Sequence, residues 1–231
     1  MDAQETPAAN TGTLPAQADI SYGLALLPDR VLADEISKAS MAVSARFENM
    51  NRIDGTIFPA HLSLYLGGVR QVDLEELTQA IGAVVSPFVG ADGEATSLYT
   101  GKRGFIGLRC RADGAIGELH RRLVGVCAMQ HRRSPVYRPH LLGRWGHLSA
   151  AEREGLEHYG ASKVLDKFDA HFSVAQVKEC DLPAAFELVQ QCVTTPVTFR
   201  APVVALVDIG HRNESWRVLH AWERPATVGS A

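Results

Sequence analysis

The sequence contains no long apolar run. No segment reaches the roughly 18 consecutive apolar residues that suggest a membrane-spanning helix, although apolar side chains make up 46% of the 231 residues and can form a sizeable core. Residues 1–19 are rich in Ala, Pro, Thr and Gln and lack the basic start and apolar centre of a signal peptide. We therefore expect a cytoplasmic protein with no membrane contact, with flexible tails over 1–19 and 224–231.

Closely spaced cysteine pairs and glycine-rich phosphate loops are also absent. Cys110, Cys127, Cys180 and Cys192 form no Cys-x-x-Cys pair, which argues against a zinc site and a redox pair. No predicted strand is followed by a Gly-x-Gly-x-x-Gly or Walker-type segment, which argues against dinucleotide and nucleoside-triphosphate chemistry. The sequence thus predicts no metal and no cofactor.

What the sequence does contain is one motif used twice. Phe-x-Ala-His-apolar-Ser-apolar occurs at residues 58–64 and again at 168–174, and an Asp-Leu pair that opens a helix-like run follows each copy. With a strand's period of two, the His and Ser of each copy point to one face and the apolar residues to the other. We interpret the repeat as an internal duplication that places one His-x-Ser strand in each half.

A single histidine on an apolar strand is more often a core residue than a catalyst, so the repeat is what points to function. His147-Leu148-Ser149 is a useful comparison, because it also reads His-x-Ser. Ser149, however, stands three residues before Glu152 in a capping box, and we expect its hydroxyl to begin a helix.

Hydrophobic periodicity predicts an α+β fold with largely antiparallel sheet. Strands are expected over 20–27, 61–69, 95–100, 105–110, 171–177, 197–209 and 216–222, and helices over 30–49, 73–88, 115–130, 149–159 and 181–192. We expect a single domain over 20–223, with the first motif in a half spanning 20–130 and the second in a half spanning 131–223.

Positive charge is concentrated in one segment. Between residues 101 and 148 ten basic side chains stand against two acidic ones, although the whole chain carries −3. Such an uneven distribution suits an anionic ligand such as a phosphate or a nucleic acid, although each arginine taken alone is better explained as part of a solvated helix face.

Two imidazoles and two hydroxyls brought together can open a phosphodiester. One neutral histidine can accept a proton while a protonated partner donates one, and the hydroxyls can hold the non-bridging phosphate oxygens. A zinc site would need a third ligand that the spacing does not supply, and a serine nucleophile would need an elbow motif that is absent. The residues therefore favour acid–base catalysis by His61 and His171, with Ser63 and Ser173 as phosphate-binding groups.

The paired His61-x-Ser63 and His171-x-Ser173 strands resemble the two-histidine phosphoesterase superfamily, which includes RNA cyclic phosphodiesterases and the bacterial 2′-5′ RNA ligases. The segment from Ser149 to Ser173 is most similar to a branch associated with bacterial phosphonate metabolism. The resemblance implies a bilobal, pseudo-twofold arrangement of duplicated β-α-β units whose sheets form a concave central groove. It also implies metal-independent opening of cyclic phosphates, with His61 and His171 as the acid–base pair.

We accordingly predict a monomeric cyclic phosphodiesterase acting on a nucleoside or RNA terminus that bears a 2′,3′-cyclic phosphate. Two alternatives stay open: the same chemistry on a ribose cyclic phosphate of phosphonate breakdown, and a non-catalytic protein that binds RNA or nucleotides. Tyr22, Tyr137 and Arg138 are further candidates for contacts in the groove.

Overall fold

Eight strands and six helices make up the part of the chain that the computed structural model describes, namely residues 19–55, 58–210 and 217–224. The strands are β1 (Asp19–Leu27), β2 (Leu62–Arg70), β3 (Ala91–Gly101), β4 (Phe105–Cys110), β5 (His171–Gln176), β6 (Val197–Ala201), β7 (Val203–Asp208) and β8 (Arg217–Glu223). The helices are α1 (Arg30–Ser44), α2 (Leu74–Val85), α3 (Gly114–Arg133), α4 (Pro139–Leu142), α5 (Ala150–Tyr159) and α6 (Leu182–Cys192). The predicted tails over 1–19 and 224–231 fall almost wholly outside the described residues.

All eight strands belong to one antiparallel sheet, in the order β6-β3-β4-β5-β2-β1-β7-β8. The sheet has two four-stranded halves that meet where β2 pairs with β5. Each half-sheet takes two strands from the first half of the sequence and two from the second, so the lobes are assembled by exchange between the sequence halves. The α+β, pseudo-twofold, largely antiparallel fold expected from the sequence is confirmed.

The predicted strand over 197–209 is wrong in one respect, because it is two strands separated by Pro202. Proline has no N–H to donate to a ladder, and the strand pairing ends there. Residues before it form β6 and pair with β3, whereas residues after it form β7 and pair with β1. Because β6 and β7 stand far apart in the sheet order but are joined by a single residue, the sheet curls until its two halves face each other.

Helices cover one face of the curled sheet. Helix α1 packs on β5 and α6, and α3 packs on β2, α2 and α5. The core lies beneath them and is built from strand residues such as Leu24, Leu62 and Phe172 together with helix residues such as Ile36 and Leu123. Each of these five side chains is fully buried.

Helix boundaries follow the local signals in the sequence. The Asp29 carboxylate accepts the Leu32 N–H and begins α1, which ends at Ser44 rather than at the predicted residue 49. Ser149 and Glu152 form the expected capping box at the start of α5, and Gly160 ends that helix in the left-handed conformation. The hydroxyl of the third His-x-Ser triplet is therefore part of a helix cap, as the sequence predicted.

Candidate active site

The two His-x-Ser motifs meet at the seam between the half-sheets. Leu62 of β2 is paired with Phe172 of β5, and both side chains point into the core. In this antiparallel register Ser63 lies across from His171, and His61 lies across from Ser173. The four polar side chains are half-buried on the sheet face opposite the helices, which we call the groove face.

Each imidazole is held in the same way. His61 Nδ1 donates to the carbonyl oxygen of Pro59 at 3.0 Å, and His171 Nδ1 donates to the carbonyl oxygen of Asp169 at 2.7 Å. Because a carbonyl oxygen only accepts, this contact places a proton on Nδ1 in both rings and leaves Nε2 as the nitrogen that exchanges a proton. Ala60 and Ala170, which precede the histidines, are both buried and fix the entry to each strand.

The surroundings of His61 disfavour its charged form. The pKa of His61 is lowered from 6.5 to about 4, chiefly by desolvation and to a smaller extent by the neighbouring His171, against the opposing effect of the Pro59 carbonyl. His61 is therefore neutral at neutral pH and ready to accept a proton. Protonation of both rings at once is disfavoured by their mutual repulsion.

A group that the sequence analysis did not single out lies beside His171. Tyr99 and Phe105 stand edge-on to the His171 ring, with ring centroids 6.1 Å and 5.6 Å away. The Arg109 guanidinium lies 4.5 Å from the centre of the Tyr99 ring and 3.7 Å from the Asp169 carboxylate. The sequence held one signal for this group. In the predicted hairpin, Phe105 and Arg109 are an even number of positions apart and therefore fall on the same face of one strand.

Tyr22 lies on the other side of the sheet from the histidines. Its side chain is 1% exposed, stacks on Tyr65 at 5.9 Å and contacts Cys127 of α3. Burial raises the pKa of Tyr22 well above its usual range. A groove contact for Tyr22 was expected from the sequence, but its place in the strand alternation puts it on the helix-covered face.

A bulge in β2 places Tyr65 on the same face as Tyr22. Leu24 is paired with Tyr65 and Ala25 with Ser63, so Leu64 is an extra residue. A bulge of this kind reverses the alternation. Tyr65 therefore points to the helices although Ser63, two residues earlier, is on the groove face.

Tyr137 and Arg138 also lie among the helices, near the end of α3. The Tyr137 ring packs edge-on to His131 and Trp145, at 5.0 Å and 6.0 Å. Arg138 is 8% exposed, and its charge acts on the buried Tyr65 hydroxyl. These contacts surround the end of α3, so the structure does not bring the predicted loop contacts to the two histidines.

The arginines of the basic segment do not gather in the groove. Arg121 and Arg122 pair with Glu118 on the exposed face of α3, and Arg133 pairs with Glu76 of α2. Arg109 is the member of the segment that the structure places beside His171.

The described residues contain neither a cluster of metal ligands nor a membrane-spanning helix. Across residues 19–55, 58–210 and 217–224, no three His, Cys, Asp or Glu side chains converge as metal ligands would. Within the same residues, every helix is too short or too polar to cross a membrane.

The architecture recurs among solved structures. A crystal structure described as a phosphoesterase has a TM-score of 0.50 and 13% sequence identity, and the likeness covers 88% of this chain and 98% of the other. E. coli LigT in its apo form has a TM-score of 0.48 and 11% identity, with 89% and 97% covered. Kluyveromyces marxianus Usb1 has a TM-score of 0.42 and 15% identity, with 86% and 97% covered.

Sequence comparison gives no relative of this kind: no protein-family model matches the chain, and no curated protein matches it. At these identities the structural likeness concerns the fold. The chain shares the fold of the structure described as a phosphoesterase, and this likeness agrees with the resemblance carried by the two His-x-Ser motifs.

Proposed function

We propose that the chain is a metal-independent phosphodiesterase that opens a cyclic phosphodiester, namely a nucleoside or RNA-terminal 2′,3′-cyclic phosphate. The observation that supports this most directly is the register at the seam. A single antiparallel pair, Leu62 with Phe172, sets two imidazoles and two hydroxyls around one point of the groove face.

The lowered pKa of His61 supports different roles for the two histidines. His61 is neutral at neutral pH, so its Nε2 acts as general base and removes a proton from water. The resulting hydroxide attacks phosphorus, and the bond from phosphorus to one ribose oxygen breaks. His171, protonated on Nε2, gives its proton to that oxygen, and a phosphate monoester with a free hydroxyl is released.

The hydroxyls complete the arrangement. Ser63 and Ser173 lie diagonally between the two rings and can donate to the non-bridging phosphate oxygens. Charge that develops on these oxygens in the transition state is stabilised by donors that are already in place. Serine acts here as a donor and not as a nucleophile, because neither hydroxyl stands in a nucleophile-elbow motif.

The test is turnover of 2′,3′-cyclic nucleotides and of short RNAs ending in a cyclic phosphate, with EDTA present. We expect His61→Ala and His171→Ala each to lose roughly 10²–10⁴ in kcat/KM, the usual contribution of a general acid or base. Exposed His158 on α5 provides the matched control, since its Nδ1 also donates to a main-chain carbonyl. His158→Ala should keep full activity.

Four results would contradict the proposal. Loss of turnover in EDTA would point to a metal ion, and full activity in either alanine variant would remove that histidine from the mechanism. RNA affinity without any turnover would favour a binding protein, and turnover restricted to base-free ribose cyclic phosphates would favour the phosphonate-related substrate.

A further inference from the structure

The two sides of the seam are chemically unlike. Beyond β2, the positions in line with Ser63 are small: Ala25 is paired with Ser63, and Ala205 is paired with Ala25. Beyond β5, the positions in line with Ser173 are Gly107 and then Tyr99, and Arg109 is paired with His171. The pseudo-twofold symmetry that relates the catalytic residues is thus broken immediately beside them.

Tyr99, Phe105 and Arg109 form one continuous surface, which we call the aromatic platform. The Tyr99 and Phe105 rings are 5.9 Å apart and inclined at 55°. Both rings are half-buried, and the Arg109 side chain, 51% exposed, covers Tyr99. A guanidinium over a tyrosine ring presents a flat cationic surface on which a second planar group can stack.

Gly107 makes room for the platform. A Cβ atom at this position would lie 2.7 Å from Tyr99 Cε1 and 2.7 Å from Phe105 Cε1. Both rings therefore lie over the bare backbone of β4, between the strand that carries His171 and the edge of the half-sheet. Gly107 faces Ser173 across the strands, so the platform begins one strand away from a phosphate-binding hydroxyl.

We infer that the aromatic platform binds the nucleobase of the substrate while its phosphate lies between His61 and His171. This inference rests on the function proposed above and names the substrate class more closely, as a nucleoside phosphate rather than a base-free sugar phosphate. Every base has a π-face, so stacking on aromatic and guanidinium groups tolerates different bases. The base therefore lies over β4 and β3, and the opposite side of the phosphate faces β2 and β1.

A structural role for the same rings gives a different expectation. If Tyr99 and Phe105 only hold the His171 imidazole in place, their loss lowers kcat equally for substrates with and without a base. If they bind the base, their loss raises KM for the nucleotide and leaves a base-free substrate unaffected.

Calorimetry measures the binding of two ligands. One is 3′-AMP, and the other is methyl ribofuranoside 3-phosphate, in which a methoxy group replaces the base. The wild-type protein should bind 3′-AMP more tightly than the base-free phosphate. Tyr99→Ala should weaken the binding of 3′-AMP roughly 5- to 150-fold, as for loss of one stacked base. Binding of the base-free phosphate should not change. Tyr99→Phe should keep the affinity for 3′-AMP, and Tyr99→Leu serves as the second variant if alanine prevents folding.

A second pair of variants tests the cation. Arg109→Gln should weaken the binding of 3′-AMP and leave the binding of the base-free phosphate unchanged. Arg122 lies 5.4 Å from the centre of the Phe88 ring on the outer surface, which makes Arg122→Gln the matched control for loss of a cation–π pair. Arg122→Gln should leave both affinities unchanged.

The outcomes separate this inference from the proposed function. Equal wild-type affinity for the two phosphates, no affinity for either, or an equal loss for both in Tyr99→Ala would overturn the platform. If cyclic nucleotides are turned over while the base makes no difference, the phosphodiesterase stands and the platform fails. If nothing is turned over while the Tyr99 and Arg109 effects hold, the platform stands and the site binds nucleotides without catalysis.

Discussion

His61 is marked by its loss of solvent. Desolvation dominates the lowering of the His61 pKa to about 4, with His171 as a smaller contribution. Because the neutral form of a base is the active form, activity should persist as the pH falls and decline only near the pKa of His61. We expect the acidic limb of kcat/KM to lie near pH 4, well below the 6.5 of an unperturbed imidazole.

The measurement is a pH profile of kcat/KM for a cyclic nucleotide, with folding checked at each pH by circular dichroism. An acidic limb near 6.5 on a folded protein would contradict the desolvated environment of His61. In His171→Ala the acidic limb should move upward, because one of the effects that depress the pKa of His61 is removed.

Three serines in His-x-Ser triplets have two different roles. Ser63 and Ser173 should bind phosphate, and Ser149 caps α5. Ser63→Ala and Ser173→Ala should lower kcat/KM by roughly tenfold or more with little loss of stability, in line with removal of one donor to a developing charge. Ser149→Ala should do the reverse, with unchanged kcat/KM and a loss of about 1 kcal/mol in the free energy of unfolding.

Urea unfolding and steady-state kinetics on the three variants check this contrast. Ser63→Thr and Ser173→Thr keep a hydroxyl and should retain most of the activity. A Ser149→Ala protein with impaired catalysis, or a fully active Ser63→Ala protein, would be inconsistent with the assigned roles.

At the scale of elements, His120 of α3 connects the two motif strands. Its Nδ1 donates to the carbonyl oxygen of Leu64, the last residue of the first motif, and its Nε2 accepts the N–H of Leu165, shortly before the second. Its ring stacks on Phe168, the first residue of the second motif, at 3.8 Å. Only the neutral Nδ1–H tautomer makes both hydrogen bonds, since a protonated Nε2 cannot accept.

This bridge predicts a pH-dependent contribution to stability. Burial lowers the pKa of His120, so the unfolded state binds the proton more readily. The contribution is therefore complete above the unfolded pKa of about 6.5 and is lost as the pH falls through the lower folded value. His120→Ala should cost roughly 2–4 kcal/mol at pH 8, through two lost hydrogen bonds and lost packing, and less at pH 5.

Denaturant unfolding at both pH values measures that difference. His61 and His131, whose pKa values are also lowered, add slopes of the same sign in both proteins and cancel in the comparison. His158→Ala is the control and should change stability by less than about 0.5 kcal/mol, as for an exposed substitution. A penalty for His120→Ala that is equal at pH 5 and pH 8 would show that the bridge does not depend on the neutral ring.

Periodicity predicted most strands and helices, because each buries one face and its pattern is local. It did not predict the bulge after Ser63, which depends on pairing with β1 and reverses the side of Tyr65, so that its ring stacks on Tyr22. Nor did it predict the aromatic platform, since only the pairing of β4 with β5 brings Arg109 opposite His171. The motif histidines could be proposed as a pair because duplication makes the same local pattern occur twice.

At the scale of the whole molecule, the candidate active site depends on a contact between two half-sheets. The recorded register between β2 and β5 is the single pair Leu62 and Phe172, whereas the pairing within each half-sheet is extensive. Phe172 is fully buried and packs edge-on to Phe199 of β6, with ring centroids 5.2 Å apart. The separation of the two histidines is therefore set by core packing beneath the seam rather than by a long ladder.

Substitutions of Phe172 and Phe199 can separate an effect on stability from an effect on the geometry of the site. Phe172→Leu and Phe199→Leu remove similar buried volume, and each should cost roughly 1–1.5 kcal/mol in the free energy of unfolding. Phe172 lies between His171 and Ser173, however, while Phe199 lies three strands away from the seam. Since a misplacement of about 1 Å can cost roughly 100-fold in rate, Phe172→Leu should lower kcat by tenfold or more and Phe199→Leu should not.

The test measures urea unfolding and kcat for a cyclic nucleotide on both variants under one set of conditions. Equal stability losses with unequal kcat values would show that the seam sets the catalytic geometry. Equal effects on kcat would instead mean that the loops that place Pro59 and Asp169 under the imidazoles hold the rings independently of the strand pairing. In that case the hydrogen bonds to Nδ1, and not the packing of Phe172, would determine where the two Nε2 atoms stand.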